Sequence, residues 1–306
     1  MFRTTLLSIL FIFACYNWAS SQTYSLQLHV TNQPDNPIVF GWISGDDFHK
    51  IDSATVFNQS VSFEFPEGSH AGVYRLVFGK TAYARVMNED PQILDFIFNN
   101  EDIELQTDFK QPVEALRVIQ SAENELYFDF MSRQQEYEKA LSFMEQEIDH
   151  YWEANDTSKA SALANEFNQI QMDWDSRTQQ IVTQNSNLLA SKLIAMKRQA
   201  LKDGFLQPAE RKENFRKHFF SPLNFSNEDL IFSAAYTDKI FNFLLLFNDP
   251  DFSREQRVQS YTSAVDQILQ YTANTPKVHE FIKKYLIHGF QVLEMDEIIQ
   301  HINQQP

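Results

Sequence analysis

The spacing of apolar residues changes at Pro112, and this change divides the chain into two parts with different secondary structure. Before Pro112, short segments such as YSLQLHV (24–30) alternate apolar and polar residues. A period of two residues is typical of a strand that buries one face. After Pro112, apolar residues recur three, four or seven positions apart, for example between Leu126 and Trp152. This longer period predicts amphipathic helices.

Further strands are predicted in the first part of the chain, and they follow one another closely. Their sequences are PIVFGWI, DSATVFNQSVSFEF, GVYRLVF, QILDFIF and DIELQTD. The second of these contains two strands joined by a turn at Asn58-Gln59, because Asn tolerates the left-handed backbone that a tight hairpin requires. Since no helical pattern separates the strands, we predict an antiparallel β-sandwich-like domain over residues 22–111.

About seven helices are predicted in the second part, which we interpret as an all-α domain over residues 112–306. Capping residues support several helix starts, since Ser121 and Ser226 precede apolar periodic segments and Pro276 lies in a first turn. Gly204 marks the end of the third helix. The predicted fold class is therefore α+β, with an N-terminal antiparallel β-sandwich-like module followed by an all-α helical domain.

The first residues have the layout of an export signal. Arg3 supplies a positive charge, an apolar run extends from Leu6 to Trp18, and small residues at 19–21 precede Gln22. This layout predicts a signal peptide over residues 1–21 that is cleaved before Gln22. The apolar run is shorter than the roughly 20 residues that a membrane-spanning helix needs. We therefore expect export to the periplasm or cell envelope, with no transmembrane segment after cleavage.

Cys15 is the only cysteine among 306 residues. Bacterial lipoprotein signals end in a small residue followed by cysteine, and Ala14-Cys15 fits that pattern, although Phe13 fits it poorly. Lipid attachment at Cys15 is therefore the alternative to cleavage before Gln22. Cleavage there leaves a chain with no disulfide, no thiol nucleophile and no thiolate metal ligand.

The acidic composition excludes two classes of ligand. The formal net charge is −16, and no run of basic residues interrupts it. A chain with this charge repels nucleic-acid phosphates and anionic lipid headgroups, so we expect it to bind neither nucleic acid nor an acidic membrane surface.

Several segments resemble a region of known envelope proteins. IDSATVFNQSVSFEF, GVYRLVF and FIFNNEDIELQTDF resemble the N-terminal β domain of unknown function that precedes thioredoxin-like modules in Bacteroidota envelope proteins. SAENELYFDFM, FFSPLNFSNEDLIFSAAYTDKIFNFL and VHEFIKKYLIHGFQVLEMDEIIQHI resemble the helical region that follows it there. In that family a thioredoxin domain of the TlpA or ResA kind, with Cys-x-x-Cys, usually comes next.

The sequence departs from this family because it contains no Cys-x-x-Cys. Thiol-disulfide exchange needs an attacking thiolate and a second, resolving thiol. The resemblance therefore implies an envelope location and an accessory architecture, but no redox activity. We expect a non-catalytic exported protein that binds a protein partner in the envelope. The alternative is that the chain is the N-terminal part of a thiol-disulfide oxidoreductase whose thioredoxin domain it lacks. A carboxylate-based hydrolase has no motif to support it.

Few single residues are candidates for a chemical role. None of the eight histidines forms a metal-binding motif, and no glycine-rich phosphate or dinucleotide loop occurs, so we expect no metal and no cofactor. Asp52-Ser53-Ala54 fits the short motif of O-glycosylation in exported Bacteroidota proteins, which makes Ser53 a candidate modification site. The stretch FNFLLLF (241–247) is apolar on every side, which predicts burial in the core or, in part, against a partner.

Overall fold

The computed structural model describes residues 23–305. The predicted signal peptide and Cys15 lie outside the described residues. The described part has a mixed α+β architecture, with two four-stranded sheets in its N-terminal half and a helical C-terminal half.

The strands form two sheets rich in antiparallel pairs. Their bounds are β1 (Ser25–Thr31), β2 (Ile38–Ser44), β3 (Asp47–Ala54), β4 (Ser60–Glu64), β5 (Gly72–Gly79), β6 (Gln92–Phe98), β7 (Ile103–Asp108) and β8 (Arg117–Gln120). The first sheet has the order β4-β1-β7-β8 and the second the order β3-β2-β5-β6. The pair β1–β7 is parallel, which departs from the antiparallel arrangement predicted from the sequence.

One hydrophobic core contains apolar residues from both sheets. Leu26 and Leu28 of β1 belong to it, as does Phe40 of β2. The ring centroids of Phe40 and Phe63, which lie in different sheets, are 5.1 Å apart. The alternation of apolar residues therefore buries one side of β1, β4, β5 and β7 in a core to which both sheets contribute.

The predicted turn at Asn58-Gln59 has the expected backbone, but β3 and β4 on either side of it do not form a hairpin, because they belong to different sheets. Asn58 and Gln59 both have positive φ angles, 50° and 63°, and they connect the bridged residues Phe57 and Ser60. Gly45 has a φ of +58° in the turn between β2 and β3. Both turns use left-handed backbone conformations, which suit tight hairpin turns.

A short helix interrupts the strand region, contrary to the prediction. Helix α1 (Ala82–Met87) connects β5 to β6, and its cap residue Thr81 accepts a hydrogen bond from the Ala84 amide. Because α1 buries only Ala84, its sequence carries almost no amphipathic pattern from which a helix could be predicted.

The helical half begins at Ala122, after β8. Its α-helices are α2 (Ala122–Glu153), α3 (Thr157–Gln184), α4 (Leu189–Lys197), α5 (Pro208–His218), α6 (Ala235–Leu245), α7 (Arg254–Thr272), α8 (Pro276–Val292) and α9 (Asp296–Gln304), with a 3-10 helix over Glu228–Phe232. Among the described residues, no helix is long and apolar enough to cross a membrane.

Helix caps agree with the sequence in some places and differ in others. Ser121 caps α2 by accepting a hydrogen bond from the Asn124 amide, as predicted. Ser226 does not act as a cap, because Asn227 holds that position at the 3-10 helix. Helix α5 was not predicted, since its sequence is strongly polar and only Arg211 and Phe215 are buried.

The two halves of the described chain are joined by specific contacts. The amide of Gly45 donates to the Ser233 carbonyl at 3.0 Å, so the β2–β3 turn rests on the helical half. A Cβ at Gly45 would lie 2.9 Å from Cγ2 of Thr237. Ile97 of β6 also belongs to the hydrophobic core of the helices. These contacts fix the position of the sheets against helices α4 and α6.

Candidate functional site

A cleft of about 660 Å³ lies among α2, α4, α6 and the segment before β8. We call it the α2–α6 cleft. Its lining residues are Val113, Glu114, Leu116, Phe128, Met131, Ser132, Gln134, Gln135, Glu138, Met196, Lys197, Gln199, Ala235, Asp238, Lys239 and Asn242. A neighbouring cavity of about 100 Å³ shares Lys197, Ala235 and Asp238 with it and reaches β5 and β6. The smaller cavity, and not the cleft itself, is therefore lined by residues of the second sheet.

Buried hydrogen bonds fix α2, one wall of the cleft, against the second sheet. The side chain of Asn124 accepts from the Ile97 amide and donates to the Ile97 carbonyl, both at 2.7 Å. The Ser121 hydroxyl and the Ala122 amide donate to the carboxylate of Glu101. The first turn of α2 is thus held by β6 and by the turn that follows β6.

Glu123 joins α2 to α4, the second wall. Its carboxylate accepts from the amides of Leu189 at 3.0 Å and Ala190 at 2.6 Å, which belong to the first turn of α4. It also accepts from the side chain of Asn99 at 2.6 Å. Helix α4 has no capping side chain of its own, so Glu123 supplies both the missing acceptor and the negative charge that favours a helix N-terminus.

Lys239 of α6 is a buried cation in the third wall. Its side chain is 8% exposed, and its Nζ donates to the Arg198 carbonyl at 2.8 Å. The ring centroid of Phe219 lies 5.5 Å from Nζ. Burial lowers the pKa of Lys239 to about 8, and the positive charge of Lys197 acts in the same direction.

Asp238 lies beside Lys239 at the junction of the two cavities. Its carboxylate is 3.8 Å from Nζ of Lys197, and its side chain is about half exposed. The pKa of Asp238 is raised, chiefly because the surrounding protein displaces water, and also because Asp46 and Asp95 repel its charge; Lys197 opposes this rise. At 3.8 Å and with this exposure, the pair with Lys197 is a weak one.

Glu138 of α2 ends a chain of side-chain hydrogen bonds in the cleft. The indole Nε1 of Trp174 donates to Gln134 at 2.8 Å, and Gln134 donates to the Glu138 carboxylate. Gln199 donates to the same carboxylate oxygen at 3.3 Å. Within residues 23–305, no lysine or arginine forms an ion pair with Glu138 or with Glu114. These two exposed carboxylates remain available to a ligand.

Exposed apolar side chains lie next to the cleft. Phe241 is 53% exposed and Leu245 50% exposed. Phe241 and Leu245 are one turn apart on α6, so they lie on the same face of the helix. Phe241 comes three positions after Asp238 and Leu245 three positions after Asn242, which places this face beside the two cleft residues. The FNFLLLF stretch is thus only partly in the core, because Phe243 and not Phe241 is buried.

A second polar cluster lies at the junction of the β2–β5 region with the 3-10 helix. The rings of His70 and Phe232 stack with centroids 3.7 Å apart, and Trp42 stacks on His49 at 3.9 Å. Nε2 of His70 is buried and has no hydrogen-bond partner in the described part of the chain. Burial lowers the pKa of His70, and the charge of His49 acts in the same direction, while backbone hydrogen bonds oppose the change.

The candidate residues from the sequence lie elsewhere. Ser53 is a partly exposed residue of β3, opposite Val39, and does not line the cleft. Its amide donates to the Asp52 carboxylate at 2.7 Å. O-glycosylation of Ser53 therefore stays a prediction. Across residues 23–305 no group of three His, Cys, Asp or Glu side chains could hold a metal ion.

Sequence reasoning did not identify the cleft residues. The one local signal was Asp238-Lys239, a charged pair inside an otherwise uncharged helix. Comparison with known family models, curated proteins and solved structures finds no match for this chain.

Proposed function

We propose that this protein is a non-catalytic, exported cell-envelope protein that binds a protein partner at the α2–α6 cleft. The observation that carries this proposal is the cleft itself, a cavity of about 660 Å³ among α2, α4, α6 and the segment before β8. Binding sites commonly occupy concave surfaces between structural units, at volumes of about 300–1,000 Å³. The exposed Phe241 and Leu245 beside the cleft extend it into an apolar surface that a partner would cover.

The composition of the cleft favours binding over catalysis. The amine of Lys239 would be the candidate nucleophile of the cleft, but it donates a hydrogen bond to a backbone carbonyl and is almost fully buried. Residues 22–306 contain no cysteine. These features support an accessory role of the kind that the resemblance to thioredoxin-linked envelope proteins implies, with the two sheets forming a β-sandwich-like module.

Site-specific photo-crosslinking tests the proposal. A photoreactive phenylalanine derivative replaces Ser132, an exposed residue of α2 that lines the cleft, in the full-length protein. Ser158, which is exposed on α3 and does not line the cleft, is the matched control. Irradiation in envelope fractions of the native host should join a defined polypeptide to position 132 and not to position 158.

The crosslinked polypeptide is then identified by mass spectrometry, purified, and mixed with the unmodified protein. Formation of a stable complex that crosslinks at position 132 supports the proposal. The same background at both positions, with the folded state verified by circular dichroism, would overturn it.

A further inference from the structure

We infer that the α2–α6 cleft binds an extended polypeptide segment in which a lysine or arginine lies near an apolar side chain. This inference rests on the proposed function and specifies the chemistry of the partner. It is carried by the arrangement of charged, amide and apolar side chains around the cleft.

The charges of the cleft favour a cationic ligand. Three carboxylates line it, those of Glu114, Glu138 and Asp238, against the two ammonium groups of Lys197 and Lys239. Nζ of Lys239 points to a backbone carbonyl and is buried, so it offers little to a ligand. Lys197 lies against Asp238. The two exposed glutamates therefore leave an excess of negative charge, on a chain whose net charge is −16.

Amide side chains around the cleft suit a peptide backbone. Gln135 of α2, Gln199 after α4 and Asn242 of α6 line the cleft and are exposed. Each amide carries both donors and an acceptor, so it can pair with the N–H and C=O groups of an extended chain. A small cation such as a polyamine would leave most of these groups without a partner.

The apolar residues determine where the segment's own apolar side chain would lie. Val113, Phe241 and Leu245 are each at least half exposed; Val113 lines the cleft, and the other two lie on the cleft-adjacent face of α6. An apolar side chain of a partner would remove this surface from water, at about 25 cal/mol per Å² of apolar area. A ligand that pairs with the carboxylates near α2 and also contacts the apolar side chains of α6 must carry both a cationic group and an apolar group.

Binding of labelled peptides to the full-length protein tests the inference. Fluorescence anisotropy would compare fluorescein-labelled Gly-Lys-Leu-Lys-Phe-Gly with two peptides of the same length. In one, both lysines are replaced by glutamate; in the other, the leucine and phenylalanine are replaced by serine. The lysine–apolar peptide should bind most tightly, and its affinity should fall as salt is added.

Matched variants locate the binding. The double variant Glu114→Gln and Glu138→Gln should weaken binding of the lysine–apolar peptide about tenfold, since each exposed ion pair contributes a factor of up to about five. Glu136→Gln, at an exposed glutamate of α2 that does not line the cleft, should leave it within about twofold. Phe241→Ser with Leu245→Ser should also weaken binding about tenfold, whereas Phe143→Ser, at an exposed position on α2, should not.

Three results of the peptide assay would overturn the inference. One is equal affinity for the lysine and glutamate peptides, and another is equal affinity for the apolar and serine peptides. The third is complete displacement of the lysine–apolar peptide by spermidine at comparable concentration. If a partner crosslinks at position 132 through an acidic or uncharged segment, the inference fails while the proposed function stands. If no partner crosslinks at position 132, both the inference and the proposed function fail.

Discussion

Replacing the buried lysine of the cleft should change how stability depends on pH. Lys239→Met keeps a side chain of similar length and removes the charge. In the native protein, burial lowers the pKa of Lys239 from 10.5 to about 8. The unfolded chain therefore binds a proton more tightly than the folded chain at this residue, so the free energy of unfolding rises with pH between about 8 and 10.5.

The size of the effect follows from the two pKa values. At about 1.4 kcal/mol per pH unit, a difference between 10.5 and about 8 corresponds to roughly 3 kcal/mol, of which about 2 to 3 kcal/mol falls between pH 7 and pH 10. The native protein should gain this amount relative to Lys239→Met over that interval. Since the side chain is 8% exposed, little of the effect is lost to solvent screening.

Urea unfolding followed by circular dichroism, at pH 7, 8, 9 and 10, measures the difference between the two proteins. Lys212→Met, at an exposed position of α5, controls for the general titration of lysines and tyrosines. A constant difference between the native protein and Lys239→Met at all four pH values would refute the reasoning. It would mean that Lys239 has an ordinary pKa, and that water enters the cleft more freely than its burial implies.

Three further predictions concern the junction and the N-terminus. The lowered pKa of His70 means that the folded state binds a proton at this residue less readily than the unfolded state does. The free energy of unfolding should therefore fall as the pH decreases below about 6.5. In urea titrations His70→Phe should reduce this fall, and His49→Phe serves as the comparison. Asn124→Ala should lower the free energy of unfolding by about 2–4 kcal/mol, because an amide and a carbonyl of β6 lose their partner in a buried site, as a denaturant titration will report. The mass of the protein isolated from its host should equal that of a chain whose first residue is Gln22. A mass that shows an acylated Cys15 as the first residue would establish the lipoprotein alternative.

The elements that local spacing determines were predictable from the sequence. The strand Ser25–Thr31 and the helix Ala122–Glu153 correspond to segments whose apolar period is two and about 3.6 residues. The Ser121 cap and the Asn58-Gln59 turn follow from the local chemistry of the side chain and of the left-handed backbone. Each of these features depends on residues within one or two turns of one another.

Features that depend on distant residues were not predictable. The parallel pair of β1 and β7 joins Leu26 to Ile103, and no local period indicates which strands become neighbours. The α2–α6 cleft draws its residues from positions between Val113 and Asn242. Glu123 caps a helix that begins 66 positions later in the chain. When a residue of another helix supplies the capping group, the sequence next to the capped helix contains no signal for it.

The shared carboxylate of Glu123 also limits how the α2–α6 cleft can change shape. Because one side chain holds the starts of α2 and α4 together with Asn99, these two walls cannot separate without exposing two buried amides to a site that lacks another acceptor. Widening of the cleft must then come from displacement of the segment before β8 or of α6, which carries Phe241 and Leu245. Under the proposal that a partner binds in the cleft, a movement of α6 would also move the exposed Phe241 and Leu245 side chains that the partner covers, so widening of the cleft and apolar contact would be coupled.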